Sequence, residues 1–382
     1  MGSATVGGRG MRQRLDAGIA SYADYQCRRY FPVLDGLRAV AILLVFTAHT
    51  DDQRWLGHLN GGVGVTIFFV LSGYLITTLS LREEQRSGRL DVRAFYVRRV
   101  FRIAPVYILI LAFYCVLIIV MGYESDRHDV FVDQLPYYAF GFPEHGHFFL
   151  INEAAAPPFA GAWSIGIEEK FYLLWPLIGF VLLSGAFLWR AGLCVLAAAA
   201  CAVAPYVFRD GAYIEPYVGI LIGCTVALLL QNPRTFTWCR WLASTPVFAG
   251  SVVAFALVLF VFFPEDHPRN VYVVTVLLLG LAMFGLVLRT RGAVNWLAWR
   301  PVVFVGEISY VFYLVHTFAI NAVEDSGVNP FDGPSSVLVT VALALPIAII
   351  GSYVVHRIVE LPFIAIGRRL GHRDASQMHS VS

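Results

Sequence analysis

An arginine and a histidine lie eleven residues apart in an otherwise apolar stretch, LDGLRAVAILLVFTAHT at 34–50. At about 100° per residue in a helix, this spacing ends about 20° past three full turns, so Arg38 and His49 share one face. The rise along the axis puts about 16 Å between them. Histidine accepts a proton near neutral pH and arginine binds anions. The stretch therefore predicts a general base and an anion-binding group on the same face of one helix.

Two other apolar stretches carry ionisable residues at a matching depth. Glu168, followed by Glu169 and Lys170, lies in AGAWSIGIEEKFYLLWPLIG, and His316 ends RPVVFVGEISYVFYLVH. The helical rise puts Glu168 and His316 about 20 Å from the cytoplasmic side, level with His49. Ionisable groups inside a bilayer are costly and commonly face a cavity or a partner. We expect these three to converge on one polar cavity; an interfacial cluster or a structural histidine is the alternative.

A second group of cations begins the third apolar stretch, in RRVFRIAPVY. Arg99 and Arg102 are three residues apart and share a helix face, and Arg98 adjoins them. Guanidinium groups bind phosphate in a bidentate manner. The three arginines therefore predict a binding site for a phosphorylated compound at the membrane mouth, with contact to lipid headgroups as the alternative.

Metal chemistry is not expected from this sequence. His145 and His147 in PEHGHFF lack a further ligand at metal-binding spacing, and the six cysteines form no C-x-x-C pair. Ser309 and Tyr313 lie on helix faces near His316, so we expect them to donate hydrogen bonds in its surroundings.

The elements that must position these residues are membrane helices. The chain is 58% apolar and 14% charged, whereas a soluble protein carries about 25% charge. An all-α polytopic bundle is expected because each long apolar run approaches the length that crosses a bilayer. The ten expected spans are 34–50, 61–81, 100–121, 166–185, 191–208, 213–230, 245–263, 270–289, 301–323 and 336–358. The weaker run at 130–150 contains two prolines and is interpreted as re-entrant or interfacial.

Arginine placement orients the bundle. With ten spans, 22 of the 28 Lys and Arg fall on the side that holds the N-terminus and four on the other. The positive-inside rule then puts both termini in the cytoplasm. The expected organisation is a cytoplasmic segment at 1–33, a transmembrane domain at 34–365 and a polar cytoplasmic tail at 366–382. The strong preference for Arg over Lys is typical of a GC-rich bacterial genome, which indicates an inner-membrane location.

This pattern favours group transfer from a cytoplasmic phosphorylated donor to a hydroxyl nearer the outer face. His49 is expected to act as general base, with Glu168 orienting and polarising its imidazole. Transfer through a covalent histidine intermediate is an alternative route. Two other function classes stay open: a proton-coupled transporter of a small solute or glycan, and a non-catalytic lipid-binding scaffold. Neither an inverted repeat nor paired broken helices are apparent, which disfavours the transporter.

Five motifs in order, within 30–365, resemble those of the integral-membrane acyltransferase 3 family. They are LDGLRAVAILLVFTAH, GVGVTIFFVLSGYLI, RVFRIAP, WSIGIEEKFYLLWP and GEISYVFYLVH. Each motif is short, but all five in this order are specific. The resemblance implies a ten-helix bundle and an enzyme that transfers an acyl group, commonly acetyl, from acyl-coenzyme A to a hydroxyl.

The resemblance also implies roles for individual residues. Arg38 and His49 would be catalytic, and Arg99 and Arg102 would hold the phosphates of coenzyme A, which is a substrate and not a resident cofactor. Acceptors in that family include cell-surface polysaccharides, lipopolysaccharide O-antigen, peptidoglycan, nodulation factors and macrolides. Some members carry an extra periplasmic SGNH hydrolase-like domain; none is visible in this sequence, so the acceptor is less constrained. Lipids are expected partners, nucleic acids are not, and no feature indicates an oligomeric state.

Overall fold

A computed structural model shows an all-helical protein, with no β-strand in the part of the chain that it describes. It describes residues 18–50, 61–123, 125–146, 148, 159–209, 211–262, 269–329 and 334–378. The α-helices are α1 Tyr22–Cys27, α2 Pro32–Thr50, α3 Gly61–Ser87, α4 Val92–Cys115, α5 His128–Ala139, α6 Trp163–Trp175, α7 Phe187–Val207, α8 Tyr217–Gln231, α9 Pro233–Cys239, α10 Thr245–Phe262, α11 Arg269–Leu288, α12 Arg300–Glu307, α13 Ser309–Asp325, α14 Pro334–Val355 and α15 Leu361–Met378. Short 3-10 helices at Gly211–Tyr213, Arg240–Ala243 and Ala293–Ala298 join several of them.

Three of these helices continue into a π-helical stretch. The stretches are Val116–Val120 after α4, Pro176–Leu182 after α6 and His356–Glu360 after α14. In α6 the change begins at Pro176, which has no N–H to donate to the preceding turn, so the backbone widens there. The 13 residues of α6 are followed directly by the 7 residues of this stretch.

The number of helices that could span a membrane agrees broadly with the expected bundle. Seven helical segments are long and apolar enough to cross a bilayer, and two bent helix pairs raise the number to nine. The remaining predicted span, 166–185, matches α6 and its π-helical extension, whose Glu168, Glu169 and Lys170 set it apart from the others. The count of ten and the cytoplasmic position of both termini stay predictions.

The two bent pairs correct one expectation from the sequence. The 3-10-extended helix Pro233–Ala243 meets the following helix at 68°, and α12 meets α13 at 77°. The expectation that paired broken helices are absent was therefore wrong. The second break is held by close packing: a Cβ on Gly306 would overlap the backbone carbonyl of Asp35 in α2. Only glycine permits this approach, which places the end of α12 beside α2, immediately before α13 begins.

Small residues also bring α3 and α8 together at the centre of the bundle. A Cβ on Gly73 would overlap the carbonyl oxygen of Ile220, and one on Gly223 would overlap that of Val70. Gly73 of α3 therefore serves helix packing. This contact fixes the rotation of α3, which turns Ser72 towards the interior cavity described below.

The described residues near both ends of the chain pack against the bundle. Residues from Gly18 onward pack across α8 and α11, where Ala20 N–H donates to the Leu288 carbonyl at 2.8 Å. Arg82 of α3 secures this segment by donating to the backbone carbonyls of Tyr25 and Arg28. At the other end, α15 continues to Met378, well past the predicted start of the tail at 366, and packs along α4.

Candidate active site

Two histidines from different helices lie in contact near one end of α2. The rings of His49 in α2 and His316 in α13 are edge-to-face, with their centroids 4.9 Å apart. The Nδ1 atom of His49 lies 2.8 Å from the Val45 carbonyl, and that of His316 lies 2.7 Å from the Tyr313 carbonyl. A carbonyl only accepts, so in each ring Nδ1 carries a hydrogen, and the neutral form of the ring keeps its lone pair on Nε2. The structure thus pairs two imidazoles that are held in the same tautomer when neutral.

The surroundings of the two imidazoles differ. His316 is 1% exposed, and its Nε2 has no hydrogen-bond partner among the described residues. His49 is exposed. An outside molecule can therefore reach His49, with His316 packed behind it. The sequence placed the two histidines at one depth, and the structure brings them together.

A polar cavity of about 120 Å³ lies deeper in the bundle, among α2, α3, α4, α6 and α13. Its charged lining comes from Arg38, Arg99, Arg102, Glu168 and Glu169. Three cations thus face two carboxylates, and the guanidiniums of Arg38, Arg99 and Arg102 are close enough to repel one another. Such a cavity suits an anion.

Glu168 lies in this cavity and is held by hydroxyl groups. The Tyr172 hydroxyl donates to its Oε2 at 2.5 Å, and the same hydroxyl is hydrogen-bonded to Ser72. Since Tyr172 donates to the carboxylate, it accepts from Ser72, which gives a chain of three groups. The expected contact between Glu168 and His49 is absent from the described contacts: the Val45 carbonyl, not Glu168, holds the imidazole Nδ1. Equal depth did not place the two side chains on facing surfaces.

The arginines of α4 divide into two environments. Arg99 is stacked between the rings of Phe95 and Tyr172, 5.5 Å from each centroid. Arg98 points away from the central cavity and pairs with Glu83 of α3 at 2.9 Å. Arg99 and Arg102 share a face, as the sequence predicted, and they line both the central cavity and a second cavity of about 210 Å³. Arg98 lines only the second.

Arg38 is fixed at the central cavity by a neighbour on its own helix. Its Nη1 donates to Asp35 Oδ1 at 2.7 Å, three residues earlier. The pair is mostly buried, with side chains 22% and 11% exposed. Asp35 thus offsets part of the cost of placing a guanidinium among membrane helices.

Tyr313 connects the cavity with the histidine pair. Its ring lines the cavity and lies 5.8 Å from the His316 ring. Its hydroxyl accepts from Ser164 at 2.8 Å and donates to the Gly161 carbonyl at 2.7 Å. The Tyr313 hydroxyl thus donates a hydrogen bond, as expected, but to the start of α6 and not to His316, whose Nδ1 is bound by the Tyr313 backbone carbonyl instead. Ser309 lines the cavity instead.

Lys170 forms an ion pair that the sequence did not indicate. Its partner is Glu144, which is 1% exposed and also accepts from the Tyr213 hydroxyl at 3.1 Å. The Lys170 ammonium lies 4.4 Å from the centroid of the Phe142 ring. The pair fastens the segment after α5 to α6. Any substitution at Gly166 would collide with the Glu144 carboxylate, because a Cβ there would overlap Oε2.

Sequence reasoning missed Ser72 and Tyr172 as parts of the cavity. The signal for Tyr172 was present, since it lies four residues after Glu168 and so on the same helix face. Ser72 had no such signal, because it lies next to Gly73 and both fit a packing surface. No group of three or more potential metal ligands occurs within the described ranges. His145 stacks on Tyr137, and His147 lies outside the described residues.

Comparison with known proteins identifies the family. A family model described as an acyltransferase domain, that of acyltransferase family 3, matches residues 31–357. A putative peptidoglycan O-acetyltransferase of Bacillus subtilis, YrhL, is 31% identical over 77% of this chain and 49% of its own length. The peptidoglycan O-acetyltransferase OatA of Listeria monocytogenes is 27% identical over 76% and 49%. A putative O-acetyltransferase of Staphylococcus aureus is 28% identical over 90% and 58%.

The chain spans about half the length of the curated relatives it matches. No solved structure matches it. The family match covers most of the chain and includes all five motifs, from Arg38 to His316. The chain belongs to the acyltransferase 3 family.

Proposed function

We propose that this chain is a bacterial membrane O-acyltransferase that moves an acyl group, by preference acetyl, from acyl-coenzyme A to a hydroxyl of a cell-surface carbohydrate. The observation that carries the proposal is the contact of His49 with His316, each with a basic Nε2, together with an arginine-lined cavity at the other end of α2. The names of the relatives support acetyl as the group and peptidoglycan as the acceptor.

His49 is the general base of this reaction. Its Nδ1 is held by the Val45 carbonyl, so Nε2 takes the proton of the acceptor hydroxyl as the oxygen attacks the thioester carbonyl carbon. The tetrahedral intermediate then collapses and the C–S bond breaks. The departing thiolate receives the proton from the imidazolium, which leaves an ester and free coenzyme A. His316 packs edge-to-face on His49 and orients it.

The donor occupies the arginine-lined end. Arg99 and Arg102 bind its phosphates, with Arg98 nearby, and Arg38 holds the donor inside the central cavity. Arg38 and His49 are about 16 Å apart along α2, and an extended thioester arm suits that separation. Glu168 acts through its hydrogen bonds to Tyr172, balancing the arginines, and not through His49. The donor comes from the cytoplasm and the acceptor from the outer side of the membrane.

The test is transfer of labelled acetyl from acetyl-coenzyme A to a glycan acceptor in proteoliposomes. With His49→Ala we expect kcat to fall by about 10²–10⁴-fold, the usual contribution of a general base. His128→Ala is the matched control, because His128 lies in α5 outside both cavities and is expected to keep the wild-type rate. Transfer at the wild-type rate by the His49 variant would remove His49 as the base.

A proton-coupled transporter is the second candidate, favoured by the 77° break between α12 and α13 beside the central cavity. Broken helices that line a cavity are common in transporters. The same proteoliposomes distinguish the two functions. Uptake of an unmodified glycan or solute without a covalent product, and with no loss on removal of acyl-coenzyme A, would replace the enzyme by the transporter.

A further inference from the structure

The second cavity, of about 210 Å³, lies where α15 crosses the end of α3 and the start of α4. Four arginines and one carboxylate line it, namely Glu83, Arg98, Arg99, Arg102 and Arg368. Arg368 is 266 positions further along the chain than Arg102 and belongs to a segment that the sequence assigned to a polar tail. The cavity thus collects one more guanidinium than α4 alone supplies.

The charges around this cavity are not balanced by the protein. Glu83 pairs with Arg98 at 2.9 Å, so that carboxylate is already engaged. Among the described residues, Arg99, Arg102 and Arg368 have no carboxylate partner within ion-pair distance. Three guanidiniums without an ion-pair partner at one small cavity favour an anion, and phosphate matches their forked donors best.

Close packing fixes the position of Arg368. The preceding residue, Gly367, lies against α4, where a Cβ would come within 2.6 Å of Phe101 Cβ. One turn later Gly371 lies against Ala94, and the rings of Phe101 and Phe363 are stacked with centroids 6.4 Å apart. The helix is therefore seated along α4, and this contact places the exposed residue Arg368 at the rim of the cavity that it lines.

We propose that Arg368 is a donor-binding residue, which contacts a phosphate of the acyl donor together with Arg99 and Arg102. The inference rests on the proposed function and extends it, because it makes the C-terminal helix part of the donor site. Arg99 and Arg102 also line the central cavity, so a donor anchored at Arg368 continues directly towards Arg38. The phosphate of an anionic lipid headgroup offers the same chemistry and is the competing source.

The test uses the full-length protein in nanodiscs of zwitterionic lipid, with coenzyme A binding measured by calorimetry and acetyl transfer measured in parallel. Arg368→Ala is expected to weaken coenzyme A binding and raise the KM for acetyl-coenzyme A by about tenfold or more, as for loss of a charged hydrogen bond. The KM for the acceptor stays unchanged. Arg368→Gln, which keeps the length and polarity, shows the same loss. Arg369→Ala is the matched control, since it removes the same charge from the adjacent position, which is equally exposed but does not line the cavity.

Three results would overturn the inference, and they are distinguishable. If Arg368→Ala binds coenzyme A like the wild type, Arg368 has no donor contact while the proposed function stands. If coenzyme A binding is unchanged and only addition of anionic lipid separates the variant from the wild type, the phosphate belongs to a lipid. If the wild type neither binds coenzyme A nor transfers acetyl, the proposed function itself fails. Equal thermal melting of the variants excludes misfolding as the cause of a loss.

Discussion

The two ends of α2 hold polar groups in opposite ways. At the His49 end, each imidazole is tied through Nδ1 to a carbonyl of its own helix, so the protein itself supplies the orienting partner. At the Arg38 end, cations outnumber carboxylates around two cavities that share Arg99 and Arg102, and several guanidiniums lack a carboxylate partner among the described residues. The first arrangement fixes the orientation of both rings, as acid–base chemistry requires. The second is incomplete until an anion arrives.

This contrast makes the two ends separable by kinetics. Changes at the histidine pair should lower kcat and leave donor binding unchanged, because the imidazoles do not line the arginine cavities. Changes at the arginines should raise the KM for the donor more than that for the acceptor. Three further substitutions test this division, from the largest expected effect to the smallest.

His316→Phe tests whether the histidine pair acts as a unit. Phenylalanine keeps an edge-to-face ring beside His49 but removes the second Nε2. We expect kcat to fall by about 10–100-fold, with the KM for acetyl-coenzyme A unchanged, because loss of a positioning group costs less than loss of the base. In a double-mutant cycle, His49→Ala combined with His316→Phe should be no slower than His49→Ala alone. Fully additive losses would show that the two act independently.

Arg102→Ala, compared with Arg98→Ala, tests whether an arginine without a carboxylate partner contributes more to donor binding than one that has such a partner. Arg102 lines both cavities without a carboxylate partner, so we expect the KM for acyl-coenzyme A to rise about tenfold or more. Arg98→Ala should raise it only a few-fold, because Arg98 is already paired with Glu83. Both constants are read from transfer rates at varied donor and fixed acceptor. Equal effects on donor and acceptor, or none, would mean that these arginines serve topology.

Tyr172→Phe tests the link between α6 and the cavity. The change removes the hydrogen bond to Glu168 and leaves the ring on which Arg99 stacks. A hydrogen bond to a charged group contributes about 1.5–3 kcal/mol. The part-buried Glu168 carboxylate still lies among the arginines of the cavity after the change, so a two- to tenfold loss of kcat/KM is expected. The comparison is Ser164→Ala, which lies in the same helix as Tyr172 and removes a hydrogen bond to Tyr313 of α13. An unchanged rate for Tyr172→Phe would make the hydroxyl chain structural only.

The level of a residue along the helix axis could be predicted from the sequence, whereas the direction in which its side chain points within the bundle could not. A fixed rise per residue placed His49 and His316 at one level, and the structure joins them. The same calculation put Glu168 at that level, yet its carboxylate faces the arginine cavity. Direction depends on how helices rotate against each other, and this rotation is set by single close approaches such as that of Gly306 to Asp35. No local pattern in the sequence encodes such a pairing.

The ends of the chain show a second limit of sequence reasoning. Residues after 366 are polar on average, which favoured a tail, but Gly367 and Gly371 recur one turn apart and form a flat face along α4. The average polarity of the segment therefore gave no indication of that packing face. The same holds for Lys170, whose partner Glu144 lies 26 positions earlier, in a stretch that reads as an interfacial loop.

That ion pair has a chemical consequence. The chain contains a single lysine among 28 basic residues of the Lys and Arg type, and its ammonium is held by Glu144 with only 21% of the side chain exposed. Under the proposed function, in which the donor is a reactive thioester, the protein thus presents almost no lysine amine for accidental acylation. The rate at which an amine-selective ester labels Lys170 is expected to report how often the segment after α5 separates from α6, because that separation breaks the ion pair with Glu144.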